Sequence, residues 1–487
     1  MSAVRFFRWC ILLHVLNGAQ TFCFSNRTNN DPYPVYTALY PYTFLTTNVR
    51  DYYIGEVANR CQERFTFSIS PFRQSASMGR DIQGRHAQLG DLRGPWNMIA
   101  LFYPGSNGST AVQQALQAAL GITQADLNTV CTTNQNAPTF GDMFTPTRAD
   151  VTQQFGFFSV PIQYRKWGVR LEAECYLGAN FGFKVEAGVS DLIQTASFYD
   201  LTCGATGRQC AIACSDPTTP CCDIDQIGCS CKRLLMLKVM DQLDVIARTL
   251  NLNIKNFNHR GMEDMILSLY WRRVFPVNQE REDWPYFLLM PFFALEFCVP
   301  TGERVGPNCL FAIPNGNNRH AGVGFSAGFN FDFAETIEIG IQASMTEYFH
   351  KCYADIPVPV STFQSGMFPY KANLRMKPGT NWTFSALIHA HHFLDRLSIY
   401  AQWVAINHNK DHFSDVVVKP FAPGETPPAA LIGKMSNESQ WHVQVVNVGA
   451  TYDISPNIAL GLLWQAPTSR KNAYRSTTIL GSIIFTW

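Results

Sequence analysis

The sequence predicts an all-β fold: a closed antiparallel transmembrane β-barrel of about 12 strands, with inserted helices in a Cys-rich segment. Three observations carry that prediction. Apolar and polar residues alternate with period two over stretches of about ten residues, the length a tilted strand needs to cross a hydrocarbon layer. The connections between those stretches alternate short and long. The chain ends in mid-strand on an aromatic, Trp487.

In chain order, residues 1–23 read as a signal peptide. Arg5 and Arg8 form a positive start, Trp9 to Leu16 an apolar core, and Gly18 and Ala19 a small-residue cleavage region. Residues 24–60, rich in Asn, Tyr and Pro, read as an N-terminal arm. Residues 61–190 carry the first barrel strands, with a long loop or plug at 73–150. A helix is expected there over Thr110 to Leu120, with Ser109 as its N-cap. Residues 191–284 form the Cys-rich and helical insert. Its helices are read over Lys232 to Leu250, from the stripe Leu235, Val239, Leu243, Ile246 and Leu250, and over Gly261 to Arg273, from Met262, Ile266 and Leu269. Residues 285–487 hold the remaining strands.

Strands are expected near 63–73, 153–163, 166–176, 180–190, 285–298, 321–334, 336–349, 380–391, 396–408, 440–452, 457–466 and 474–487. The cleanest hairpin sets Val323, Phe325, Ala327, Phe329, Phe331 and Phe333 against Gly322, Gly324, Ser326, Gly328, Asn330 and Asp332. A soluble β-sandwich would alternate too, but its strands are usually about five or six residues long. No stretch beyond the signal is apolar over the roughly 18 residues of a membrane helix.

This pattern resembles the porin-like outer-membrane β-barrels of Gram-negative bacteria. The likeness rests on the final strands Val443–Trp487, the terminal aromatic, and short turns at 334–335, 393–396 and 453–457 facing long loops at 299–320, 350–379 and 409–439. It implies a location in the bacterial outer membrane, outer-membrane lipid as partner, and recognition by the barrel-assembly machinery through the C-terminal strand. A homo-oligomer is left open. With 15% charged residues and a net charge of +1, nothing points to nucleic acid.

Strand counting puts the 191–284 insert on the periplasmic side, which is odd for its size. Either it is a periplasmic subdomain or plug, or one strand is missed and it faces outward. Its cysteines, Cys203, Cys210, Cys214, Cys221, Cys222, Cys229 and Cys231, match no zinc spacing and are read as disulfide candidates in an oxidising envelope. An odd member could pair with Cys175, Cys298, Cys309 or Cys352, bridge to another molecule, or stay free.

On the polar face, Glu172, Glu174, Lys184, Glu186, Asp332 and Glu338 are pore-lining candidates that set solute preference, or else residues that pair and fill the interior. His389 and His391 share one face of a strand, but no third ligand is apparent, so no metal site is assigned. No nucleophile elbow, P-loop, dinucleotide fingerprint or His-Glu-x-x-His is present, so no catalytic residue, cofactor or enzymatic activity is expected. The functional expectation is a porin-like channel for passive passage of small polar solutes. The alternatives are a structural or adhesive barrel with a plugged lumen, cross-linked through disulfides, and a barrel transporter for apolar solutes. Large residues on the nominal inner face, Tyr400, Ile406 and Leu463, argue for partial occlusion.

Overall fold

The computed structural model describes residues 65–101, 110–121, 157–201, 239, 241–277, 287–302, 306, 308–310, 315–333 and 336–487. The signal and arm, the seven clustered cysteines, Ser109 and the turn at 334–335 lie outside them. The fold is a closed barrel of 12 antiparallel strands. They are β1 Phe65–Arg80, β2 Ile162–Gly178, β3 Phe181–Ala196, β4 Met265–Arg272, β5 Phe287–Val299, β6 Gly322–Phe333, β7 Ile337–Tyr348, β8 Asn381–Leu394, β9 Leu397–His408, β10 Trp441–Ser455, β11 Ile458–Lys471 and β12 Ala473–Thr486. Neighbours in sequence are neighbours in space. β12 pairs with β1, so no strand edge remains open to lipid.

Closure follows from the alternation. The outward row on β11 is Ile458, Leu460, Leu462 and Trp464, and the inward row is Ala459, Gly461, Leu463 and Gln465. Phe325 and Phe329 on β6, and Ile339 and Ile341 on β7, also point outward. Near the short-turn rim the outer face carries rings: Trp271 stacks on Phe293 at 5.5 Å and Phe287 on Phe331 at 5.8 Å. Phe65 and Trp487 close the seam with rings 5.5 Å apart. This greasy outer surface matches a bilayer and no aqueous surroundings.

Two expectations need correcting. Gly261 to Arg273 is no helix: Met265–Arg272 is β4, which pairs with β3 on one side and β5 on the other. The strand expected at 153–163 is no barrel strand: Phe157–Ser159 joins Trp96–Asn97 and Tyr199–Asp200 in a small separate sheet, and Ile162 already belongs to β2. One strand is lost and one gained, so the count stands. The extra crossing puts the connection between β3 and β4, where described, at the long-loop rim. β1 also runs on to Arg80, and the polar stretch before Ile479 extends β11 to Lys471 and starts β12 at Ala473, either side of Asn472 (φ 51°), although the two strands pair with each other only as far as Gln465 and Thr478. Pro291 inside β5 is tolerated because it sits between two pairings, Phe292 with Arg272 and Leu289 with Phe275, where the ladder is interrupted.

At the long-loop rim the connections fold over the mouth as a cap. A three-stranded sheet of Lys351–Val358, Tyr370–Lys377 and His412–Val418 packs with helices α1 Thr110–Leu120 and α2 Leu243–Thr249. In α1, Val112, Leu116 and Leu120 are buried at four-residue spacing, as expected for an amphipathic helix. Val239, Leu243, Ile246 and Leu250 do the same for the described part of the second predicted helix. Asp91 anchors the small sheet by accepting the Val160 N–H at 2.8 Å and the Ser159 hydroxyl. The cap core continues into the barrel mouth through Tyr164, Val404, Ile406, Val443, Val445 and Tyr474.

Leu462, 61% exposed at the middle of its outward row, should report the lipid contact. Leu462→Arg is expected to destabilise the barrel by about 2–4 kcal/mol, measured by denaturant unfolding in lipid vesicles.

Candidate functional site in the barrel interior

The inward residues of the strands build the site. One register row runs obliquely around the wall: Leu288, Asp332, Glu338, His389, Tyr400, Gly449, Leu463, Leu480, Phe72 and Gly168. Because barrel strands tilt, the row climbs from the short-turn rim on β5 towards the long-loop rim on β2. It therefore crosses several chemically distinct zones.

The first zone is an apolar belt across the lumen. Phe72, Ile266, Tyr270, Phe292, Leu387, Tyr400, Leu463 and Leu480 are buried in one cluster. Its two tyrosines lie flat on the wall. A Cβ at Gly449 would stand 2.1 Å from the Tyr400 hydroxyl oxygen, and one at Gly182 2.1 Å from that of Tyr270. Glycine is what lets the rings approach the backbone there.

The second zone lies towards the cap. Arg170 donates to the Glu263 carboxylate from Nε at 2.9 Å and Nη2 at 3.2 Å, and Lys166 Nζ reaches the same carboxylate at 2.7 Å. The Arg170 guanidinium also sits 4.2 Å from the Phe72 ring centroid. Beside it runs an amide ladder: Gln465 donates to Asn447 at 2.9 Å, and Asn447 donates to Gln402 at 3.0 Å.

The third zone holds four of the predicted residues. Glu172 faces Glu186 and Glu174 faces Lys184 in the β2–β3 register. Lys184 Nζ is 3.4 Å from Glu172 and also pairs closely with Glu186. Arg272 on β4 bonds Glu174 at 3.3 Å, and the Tyr270 hydroxyl donates to the same carboxylate. The remaining two, Asp332 and Glu338, face each other across β6 and β7. Beside Glu338 stand His389 and His391; His391 Nε2 lies 2.8 Å from the Glu338 carboxylate.

All six predicted residues thus point inward, in two groups. Lys184, Glu186, Asp332 and Glu338 are no more than 1% exposed, so protein atoms rather than water surround them. Sequence reasoning missed Lys166, Arg170 and Glu263. The first two stood in a recognised strand on its inner row. Glu263 lay in a segment with helical spacing, and only the β4 pairing places it. The cysteine pairings fall on undescribed residues; among the described ones, Cys175, Cys298, Cys309 and Cys352 form no disulfide.

No protein-family model matches the chain, and no curated protein does. Among solved structures it is similar to an outer membrane channel from Pseudomonas putida F1, at 7% identity over 88% of this chain and 97% of that one, with a TM-score of 0.43. It is also similar to the toluene transporter TbuX of Ralstonia pickettii, at 8% identity over 88% and 90%, TM-score 0.29. A third is the translocator domain of the autotransporter NalP from Neisseria meningitidis, at 6% identity over 93% and 99%, TM-score 0.29. The class rests on the molecule's own geometry: a closed 12-stranded antiparallel barrel with an apolar outer face, the fold of a transmembrane β-barrel of the outer-membrane type.

Glu263 is the common counter-ion of two buried cations. Glu263→Gln is expected to destabilise the barrel by about 3–5 kcal/mol, because breaking a buried pair leaves uncompensated charge. Denaturant unfolding of the variant against the parent protein measures it.

Proposed function

We propose that the protein is a gated channel for small polar solutes, with the interior belt and the cap as its closed gate. One observation carries this reading. Lys166, Arg170 and Lys184 with Glu172, Glu174, Glu186 and Glu263 fill the interior where apolar residues would do so at less desolvation cost. A barrel that only had to be solid would be more stable with a hydrocarbon filling. Paired charges and amides give a hydrated solute replacement partners once the belt parts. The proposed activity is passage alone, without bond chemistry.

The belt favours a second reading, a structural barrel with a plugged lumen. Tyr270, Tyr400 and Leu463 are all buried in one cluster that the cap core continues above. The two readings differ in whether the belt can yield.

Single-channel recording in planar bilayers separates them. The parent protein is expected to show rare, brief ohmic steps, and Tyr400→Ala with Leu463→Ala to lengthen or enlarge them by about tenfold in mean current. That factor equals about 1.4 kcal/mol in the gating equilibrium. Silence of both proteins, shown to be folded and inserted, would favour the structural barrel.

A further inference from the structure

Three metal-ligating side chains converge on the β7–β8 wall. The register sets Glu338 opposite His389, and His391 follows two residues later on the same inward face. Each offers one ligand atom, and all three atoms lie within 4.8 Å of one another. The His389 and His391 rings are 3.7 Å apart between centroids, tilted by 46°. All three residues are buried, the most open being His391 at 5% exposure.

We propose that Glu338, His389 and His391 bind a divalent transition-metal ion of borderline softness, with Zn2+ as the representative. Two imidazoles and one carboxylate form the donor set that such ions take, and the imidazoles disfavour Mg2+ or Ca2+. A His391–Glu338 ion pair accounts for two members of the trio. The second imidazole, on the same inward face, brings a third ligand atom to the same point. A dication at that point would be bound by all three donors.

The geometry needs modest closure. Tetrahedral ligand atoms about 2.0 Å from zinc stand about 3.3 Å from one another, within reach of side-chain rotation here. Asp332, opposite Glu338 in the β6–β7 register, adds a second carboxylate to the neighbourhood. The Tyr400 ring stands 5.7 Å from His389 on the other side. The His391 N–H is held by the Thr336 carbonyl at 3.1 Å, so the site stands at the short-turn end of the barrel.

The test uses full-length folded protein in detergent, stripped with chelator and titrated with Zn2+ alone by calorimetry. Co2+ spectra identify the ligand atoms. The expected result is one equivalent per chain, a Co2+ spectrum without thiolate charge transfer, and affinity weakened by about 100-fold or more in His389→Gln and in His391→Gln. Absence of stoichiometric Zn2+ binding, thiolate bands from the cysteine-rich segment, or undiminished binding in the double His→Gln variant would each overturn the site. Should the double variant not fold, Glu338→Gln decides: unchanged Zn2+ affinity rejects the site, and loss supports it.

Discussion

Every backbone N–H and C=O that crosses hydrocarbon has to be paired within the protein, and this one requirement governs the rest of the structure. A row of strands satisfies it only by closing on itself. The seam is β1 with β12, where the Trp487 N–H donates to the Phe65 carbonyl at 2.9 Å and the Phe65 N–H to the Trp487 carbonyl at 3.3 Å. The last residue of the chain therefore completes the ladder of the first strand. Once the ring is closed, the pleat sends alternate side chains to lipid and to the interior, so the outer face carries an apolar band and the inner face is released for other chemistry.

The interior is a compromise between two ways of filling a tube. Apolar rings and aliphatics on the belt pack without polar obligations. Around them sit charges that would be costly singly and are tolerable as sets: one carboxylate between two cations at Glu263, and one ammonium between two carboxylates at Lys184. The Lys184 set spans the neighbouring strands β2 and β3, where the register assembles it, whereas Glu263, just before β4, reaches across β3 to Lys166 and Arg170 on β2.

Much of this was legible in the sequence where one face is apolar and the other is not. On β6 and β7 the alternation of Phe and Ile with Gly, Asn, Asp and Glu leaves only one reading, and the hairpin register of Asp332 with Glu338 follows. β4 was hidden because both of its faces are apolar. Ile266 and Tyr270 feed the inner belt while Leu267, Leu269 and Trp271 meet lipid, and with both rows greasy a three-to-four spacing reads as helix. The same ambiguity misplaced Phe157–Ser159, whose alternation serves the cap core instead of the wall. The histidine pair was visible as a same-face spacing on one strand. Its carboxylate neighbour was not, because Glu338 reaches it only through pairing between strands that are separated by the long connection after β7.

The cap draws its core from the connections that follow β1, β3, β5, β7 and β9: Leu116 and Phe158 from the first, Ile246 from the second, Leu310 from the third, Tyr353 and Tyr370 from the fourth and Phe413 from the fifth. Segments that share one core do not swing separately, since moving any of them exposes the apolar surface of the others. On the proposed channel reading, the cap is a single all-or-none lid, its opening set jointly by segments that lie far apart along the chain.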